Sequence, residues 1–315
     1  MIRIGMDVGG TGIQVGLVND QGMILAKDSV VTRTDIPFPE QINNMAGCAL
    51  QLLKANGFTL QDLASVGAGV PGVANQRTGV IPKCVNMGWV NVPFREEMSK
   101  HFGGRPVFID NDATVAGLAE SVAGVSAGTS SSVFITLGTG VGGGIIIGGR
   151  VWNGAHGIGS EIGHMTLELE GEPCTCGNMG CVERYCSATA VIRQARQILQ
   201  FHPESLMYEM CKGDLSAVNA RLVFAAAKEQ DPCAVKIFRR YVTCLAQAIN
   251  SITNLLDPEM FVLGGGVAKS GAFLLDALRA EVPKYALFGD AFPLPRIELA
   301  RLGTDAGIIG AAMLH

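Results

Sequence analysis

The sequence predicts an α/β protein built from two related domains. Three observations carry the prediction: strand-like and helix-like segments alternate, one hairpin pattern occurs twice, and 315 residues exceed the ~100–200 of a typical domain. The strand segments are 2–6, 14–18, 65–70, 107–109, 133–137, 145–147 and 260–263, short runs rich in apolar and β-branched residues. A helix is predicted over 190–199, with Val191, Ala195, Ile198 and Leu199 apolar, and a longer one over 232–256. In the second, Ile237, Tyr241, Leu245, Ile249 and Ile252 recur at spacings of three and four. Asp257-Pro258 closes it, because proline disfavours helical geometry in the residue before it.

The repeat lies in glycine positions rather than identities. Ile4 to Leu17 is an apolar strand, the turn Gly9-Gly10-Thr11, then a second apolar strand; Phe134 to Ile147 repeats the device around Gly138-Thr139-Gly140. One copy near the start of each half implies two domains facing each other across a cleft, with a boundary near 112–120 and a helix as the connection. The expected division is a small N-terminal α/β domain of residues 1–115 plus 302–315, and a large α/β domain, 116–301.

The formal net charge of −4, with no basic block longer than Arg239-Arg240, leaves no electrostatic footprint for nucleic acid or an anionic membrane. No apolar run approaches the ~18 residues of a membrane span. The first residues run straight into Ile2-Arg3-Ile4, without the pattern of a signal or transit peptide. Nine cysteines, an odd number with three close together, suit a reducing cytoplasm better than a disulfide framework. Cys48, Cys84, Cys211, Cys233 and Cys244 read as small buried hydrophobes. Trp89 fits a core or a site role equally, and Trp152 reads as core. The compositional outlier is glycine, 41 residues, nearly twice the usual ~7 %.

Most of that excess lies in loops suited to anions. A turn of Gly9, Gly10 and Thr11 lets backbone N–H groups converge without Cβ atoms in the way, and the threonine hydroxyl adds a donor. Gly138, Thr139 and Gly140 repeat it, and Gly264-Gly265-Gly266 follows the strand at 260–263. Three such loops point to a nucleotide. Asp7, at the end of the first strand, is placed to hold hydrated Mg²⁺ beside its phosphates. A dinucleotide site is excluded, since Gly138-x-Gly140-x-x-Gly143 runs into β-like Ile145-Ile146-Ile147 instead of a helix. A Walker A loop at Lys269-Ser270 is excluded as well, since Leu263 and Ala268 stand where glycine is required.

A metal site is also legible. His164, then Cys174-x-Cys176-x₄-Cys181, supplies the four N/S ligands of a closed tetrahedral Zn²⁺ centre, with Glu161 and Glu183 flanking it. Pro106 to Glu120 reads as a strand followed at once by a helix, which puts Asp112 near a helix N-terminus. An ionised carboxylate there can accept a hydroxyl proton during phosphoryl transfer. The local sequence favours the simpler reading, that Asp110 or Asp112 caps the helix.

Taken together, Asp7-x-Gly9-Gly10-Thr11, Asn111-Asp112-Ala113, the glycine loop 137–149, Glu161-Ile-Gly-His164, the Cys174 to Glu183 motif and Leu263 to Gly266 resemble the ROK family (repressors, open reading frames and kinases). The resemblance covers the whole chain in order. It implies an actin-like, hexokinase-type (ribonuclease H-like) fold of two domains closing over a sugar and ATP. It implies that Asp112 is the base that deprotonates the sugar hydroxyl, against the local reading, and that Asn86, Asn111, Glu161, His164 and Glu183 bind the other hydroxyls. It further implies that His164, Cys174, Cys176 and Cys181 hold structural zinc.

Asn86-Met-Gly-Trp89-Val-Asn-Val-Pro93 is similar to a segment of the family's bacterial ATP-dependent glucokinases. Phosphorylation of glucose at its 6-hydroxyl with Mg-ATP is therefore expected, in cytoplasmic carbohydrate metabolism, by a homo-oligomer (dimer or tetramer). N-acetylmannosamine, N-acetylglucosamine, fructose and allose are alternative substrates. A non-catalytic sugar sensor is the rival class, disfavoured because only six residues precede Asp7 and the charge is wrong for DNA. Gly12 and Thr304 depart from the commoner family residues, lysine or asparagine and asparagine respectively.

Overall fold

In chain order the first elements are β1 (Ile2–Val8), β2 (Gly12–Val18), β3 (Ile24–Val31), α1 (Phe38–Ala55) and β4 (Leu63–Val70). There follow β5 (Val73–Asn75), β6 (Val80–Cys84), β7 (Trp89–Val92), α2 (Phe94–Ser99), β8 (Val107–Asn111) and α3 (Asp112–Val122). β1, β2 and β3 form an antiparallel meander, to which β4 and β8 add in parallel, giving the sheet order β3-β2-β1-β4-β8. β5, β6 and β7 make a small antiparallel sheet of their own.

The next elements are β9 (Ser131–Leu137), β10 (Val141–Ile147), β11 (Arg150–Val151), α4 (Glu183–Cys186), α5 (Ala188–Leu199), α6 (Leu206–Met210), α7 (Ala220–Lys228) and α8 (Pro232–Leu256). The chain ends with β12 (Met260–Gly264), α9 (Gly265–Ala268), α10 (Ala272–Glu281), β13 (Arg296–Leu299) and α11 (Ala306–Ala312). The second sheet runs β11-β10-β9-β12-β13, the same order as the first with β9 in the place of β1. The repeated hairpin of the sequence is therefore the first hairpin of two sheets with one topology.

The computed structural model describes residues 1–287 and 289–315, which gather into two compact units. One comprises Met1–Phe134, Gly144–Ser160 and Ala300–His315; the other comprises Ile135–Gly143 and Glu161–Leu299.

In the first unit β4 is buried almost throughout, as a central strand covered on both faces must be. Ile42, Met45 and Ala49 of α1 join the apolar core formed with Ile4, Met6 and Val66. α11 packs against β1, β2, β4 and α3. Trp89 is core: its ring is 2 % exposed, lies edge-on to Phe38 at 5.3 Å, and donates Nε1–H to Gln41 Oε1 at 3.0 Å. Trp152 is not, with 45 % exposure. It follows the two-residue β11, and its ring lies against Gly159 in a surface loop, where a Cβ on the glycine would meet it at 2.8 Å. Cys84, Cys211 and Cys244 are buried as expected, whereas Cys48 and Cys233 are only half-buried.

In the second unit the apolar stripe of α8 packs on α7 and α10, with Phe224 edge-on to Phe238 at 5.1 Å and to Tyr241 at 5.4 Å. Asp257 ends α8 in the left-handed conformation, φ 43°, ahead of Pro258.

α11 reaches the first sheet at backbone distance only because Gly5 and Gly67 present no side chain. A Cβ on Gly5 would collide with the carbonyl oxygen of Ile308, and one on Gly67 with that of Ala311. Gly67→Ala should therefore lower the stability of the protein by at least about 3 kcal/mol, seen as a lower urea midpoint, because the helix must move to admit one methyl group. A loss under about 1 kcal/mol would show that this contact is soft.

Candidate active site

The parallel strands of the first sheet end on the same edge, and their register fixes which residues meet there. Asp7 of β1 pairs with Gly69 of β4, which pairs with Asp110 of β8. With strands ~4.8 Å apart, two carboxylates stand about 10 Å from one another with a glycine between them.

After Asp7, the Gly9 to Gly12 turn closes through Gly9 N–H donating to Gly12 O at 3.1 Å, and Thr32 Oγ1 donates to Gly9 O at 2.6 Å. Gly10 and Thr11 are exposed. Asn86, exposed on the single helical turn Val85–Met87, lies close by, 3.5 Å from where a Gly10 Cβ would be. The Asp7 carboxyl group lies over Gly307 of α11. Burial there, and then the charge of Asp112, raise Asp7 from the usual 3.8 to about 6.

Asp110, Asn111 and Asp112 have three different surroundings. Asn111 caps α3: its Oδ1 accepts from the N–H groups of Ala113 at 2.9 Å and Thr114 at 3.3 Å, while its Nδ2 donates to Gly72 O at 3.1 Å. Asp112, first residue of α3, is exposed, and its Oδ1 also accepts from Ala113 N–H at 2.8 Å. Asp110 is 2 % exposed and accepts from Asn153 Nδ2 at 3.0 and 2.9 Å, from Gln76 Nε2, and from Asn111 N–H at 2.7 Å. Burial nonetheless pushes Asp110 up from 3.8 to about 6, against the pull of those donors.

The cap is thus Asn111. That Asp110 ties the loops of Gln76 and Asn153 to β8 is not legible from the local sequence. The one available hint is a carboxylate following directly on the apolar run Val107-Phe108-Ile109.

The second unit gathers its candidates around the β9–β10 turn. Gly138 N–H donates to Gly140 O at 3.0 Å, and Ala188 N–H, at the start of α5, donates to Gly138 O at 2.8 Å. Thr189 Oγ1 donates to Thr139 O at 2.7 Å. Glu183, first residue of α4, accepts from Val141 N–H at 3.0 Å through Oε2, which lies where any Cβ on Gly140 would be. Gly163 lies under the Val141 carbonyl, between Glu161, which is exposed, and His164. Gly265, between Gly264 and Gly266, has φ +85° and sits 2.6–2.7 Å, in Cβ terms, from the backbone of Leu137.

His164, Cys174, Cys176 and Cys181 converge, their ligand atoms all within 4.8 Å of one another. Cys174 Sγ is 3.7 Å from His164 Nδ1, and Cys176 Sγ is 3.7 Å from Cys181 Sγ. A tetrahedron with Zn–S of ~2.3 Å has S···S edges of about 3.8 Å, so the donor set fits the metal in number, chemistry and size. Two bridges, Thr166 with Cys181 and Pro173 with Met179, hold the cysteine loop in place.

The ROK family pattern matches residues 3–315. The chain belongs to the ROK family. It is 35 % identical to a glucokinase of Halalkalibacterium halodurans, over 99 % of this chain and 94 % of that one. A ROK family glucokinase from Streptomyces griseus, solved in complex with glucose and AMPPNP, is similar with a TM-score of 0.79 and 30 % identity, covering 99 % of this chain and 98 % of that one. The ROK hexokinase of Thermus thermophilus gives a TM-score of 0.86 and 33 % identity, covering 99 % and 97 %. The fold is the actin-like, hexokinase-type fold expected of a ROK sugar kinase.

The buried carboxylates set a pH dependence. With its carboxyl raised to about 6 in the folded chain, Asp110 binds more proton folded than unfolded between about pH 4 and 6. Stability therefore falls as pH rises through that window, by at most about 3 kcal/mol for this group at ~1.4 kcal/mol per unit. In Asp110→Asn that share of the slope should vanish, so urea midpoints from pH 4 to 7 decline less steeply than in the parent protein. An unaltered slope would show that Asp110 is not the group responsible.

Proposed function

We propose that this ROK protein is an ATP-dependent glucokinase that transfers the γ-phosphoryl group of ATP to the 6-hydroxyl of glucose. The observation that carries the reading is Asp112, an exposed carboxylate on the first turn of α3, next to the Asn111 cap and near enough to Asp7 for its charge to be felt there. The full-length similarity to a kinase solved with glucose and AMPPNP supplies the substrates.

In this reading Asp112 accepts the proton of the 6-hydroxyl as its oxygen bonds to the γ-phosphorus. The bond from that phosphorus to the β,γ-bridging oxygen breaks, and ADP leaves with the electron pair. The helix dipole of α3 favours the ionised form of Asp112 before the transfer. The turns at Gly9, Gly10 and Thr11 and at Gly138, Thr139 and Gly140 hold phosphates through backbone donors, and Gly264, Gly265 and Gly266 flank the nucleotide. Mg²⁺, when bound, neutralises phosphate charge, and Asp7 is the residue that would hold it; a carboxyl raised to about 6 by burial gains its ionised form beside a cation.

Asn86, Asn111, Glu161, His164 and Glu183 hydrogen-bond the remaining sugar hydroxyls. His164 can serve two partners, because Nδ1 faces the thiols and Nε2 is left for the sugar. Zinc held by His164, Cys174, Cys176 and Cys181 would fix that ring. All nine cysteines are free thiols, which suits a cytoplasmic enzyme, and among the described residues no helix is long and apolar enough to cross a membrane.

A coupled ADP-release assay over a panel of hexoses and N-acetylhexosamines with Mg-ATP tests the activity; glucose should give the highest kcat/KM, and no turnover on any sugar would refute it. Asp112→Asn should lower kcat by roughly 10²–10⁴ while glucose still binds. Near-normal turnover in that variant would remove Asp112 from the role of base. Cys176→Ser should purify with markedly less zinc than the parent protein, and undiminished zinc by metal analysis would contradict its place as a ligand.

A further inference from the structure

We propose that a cavity beside β8 in the first unit is a second ligand site, for a phosphorylated sugar, separate from the residues assigned to the kinase reaction. The cavity measures about 600 Å³, within the ~300–1,000 Å³ range of small-molecule pockets. Arg77, Arg95 and Arg150 line it, with Gln76 and His315 as the other polar side chains, and among the described residues no aspartate or glutamate side chain does. In a chain of net charge −4, three guanidinium groups around one concavity concentrate positive potential where an anion is otherwise disfavoured.

The site is built rather than incidental. Arg95 spends three of its five N–H donors on the carbonyl oxygens of Val107 at 2.9 Å, Arg77 at 3.0 Å and Gln76. Carbonyls hold a guanidinium in place without cancelling its charge, so Arg95 is a fixed cation with donors to spare. Arg77 and Arg150 are exposed, and among the described residues neither forms an ion pair. Two exposed guanidinium groups without an ion-pair partner, lining one cavity with a fixed third, are donors of the kind a phosphate monoester takes in bidentate pairs. The rest of the lining is largely apolar, with Val107, Ile109 and Leu118, which favours an ester with a carbon skeleton over inorganic phosphate.

The choice of a sugar phosphate as occupant rests on the kinase reading, whose product is one; the cationic cavity does not. The position gives an occupant a route to the reaction. Gln76 lines the cavity and donates to Asp110, which lies two residues before Asp112.

Isothermal titration of the intact, nucleotide-free protein with glucose 6-phosphate distinguishes the possibilities. The parent protein should take up two equivalents, one at the kinase site and one here. Arg77→Ala/Arg150→Ala should take up one, with turnover at low product concentration changed less than twofold, and Arg77→Lys/Arg150→Lys should recover part of the second. Two equivalents retained by the double alanine variant, or one in both proteins, overturns the proposal. If the chain were not a glucokinase, the parent would bind one equivalent and the alanine variant none, so failure of that reading would be told apart from failure of this site.

Discussion

The carboxyl group of Asp7 rests against the first turn of α11, and much of the first unit is arranged so that this contact can exist. α11 comes down to the sheet at backbone distance because β1 and β4 offer glycines at residues 5 and 67, where any side chain would meet a helix carbonyl. That closeness puts Gly307 directly over Asp7 and takes water away from the carboxyl group. Desolvation makes the charged form expensive, and Asp112 makes it more so. A helix–sheet packing distance is thereby converted into an electrostatic property: two full negative charges at Asp7 and Asp112 are disfavoured together. The same packing that stabilises the unit therefore sets the charge state of Asp7.

The passage from β8 into α3 divides three neighbouring polar residues by geometry alone. The strand's last inward position buries Asp110, the extended residue before the helix makes Asn111 a cap, and the first helical residue leaves Asp112 exposed. Each would do the others' work badly. A buried Asp112 could not reach a substrate, and an exposed Asp110 could not hold Gln76 and Asn153. Because Gly69 separates Asp7 from Asp110 on the intervening strand, the buried carboxylate braces its loops without adding a third charge directly beside Asp7.

The legible parts of this chain were those where one periodicity or one spacing decides the structure. β1, β4, β9 and β12 carry mostly apolar residues and lie in the sheets at the expected places, and α8 spans the 232–256 that its three-and-four spacing predicts. The thiol spacing brought the four metal-ligand candidates together. β3 escaped notice because Lys27, Asp28 and Ser29 are exposed on an edge strand, and β13 because four residues next to a proline-rich loop carry no pattern. The local pattern, which offers Asp110 or Asp112 as the cap, cannot show the burial of Asp110, because that depends on Gln76 and Asn153, which lie 34 residues before and 43 after it. Trp152 was read as core because a large aromatic usually is; only the glycine loop it lies on explains its exposure.

Val141 ties the cysteine loop to the glycine turn. Its N–H is held by Glu183, two residues after the last thiol, and its carbonyl lies against Gly163, one residue before His164. Both ends of the Glu161 to Glu183 stretch therefore grip a single peptide position at the end of the β9–β10 turn. A metal held by His164 and the three thiols would fix the two ends relative to one another, and with them the β9–β10 turn. Gly140 is the complement of that coupling: with any side chain there, the Glu183 carboxylate would be pushed off Val141 and the two motifs would come apart.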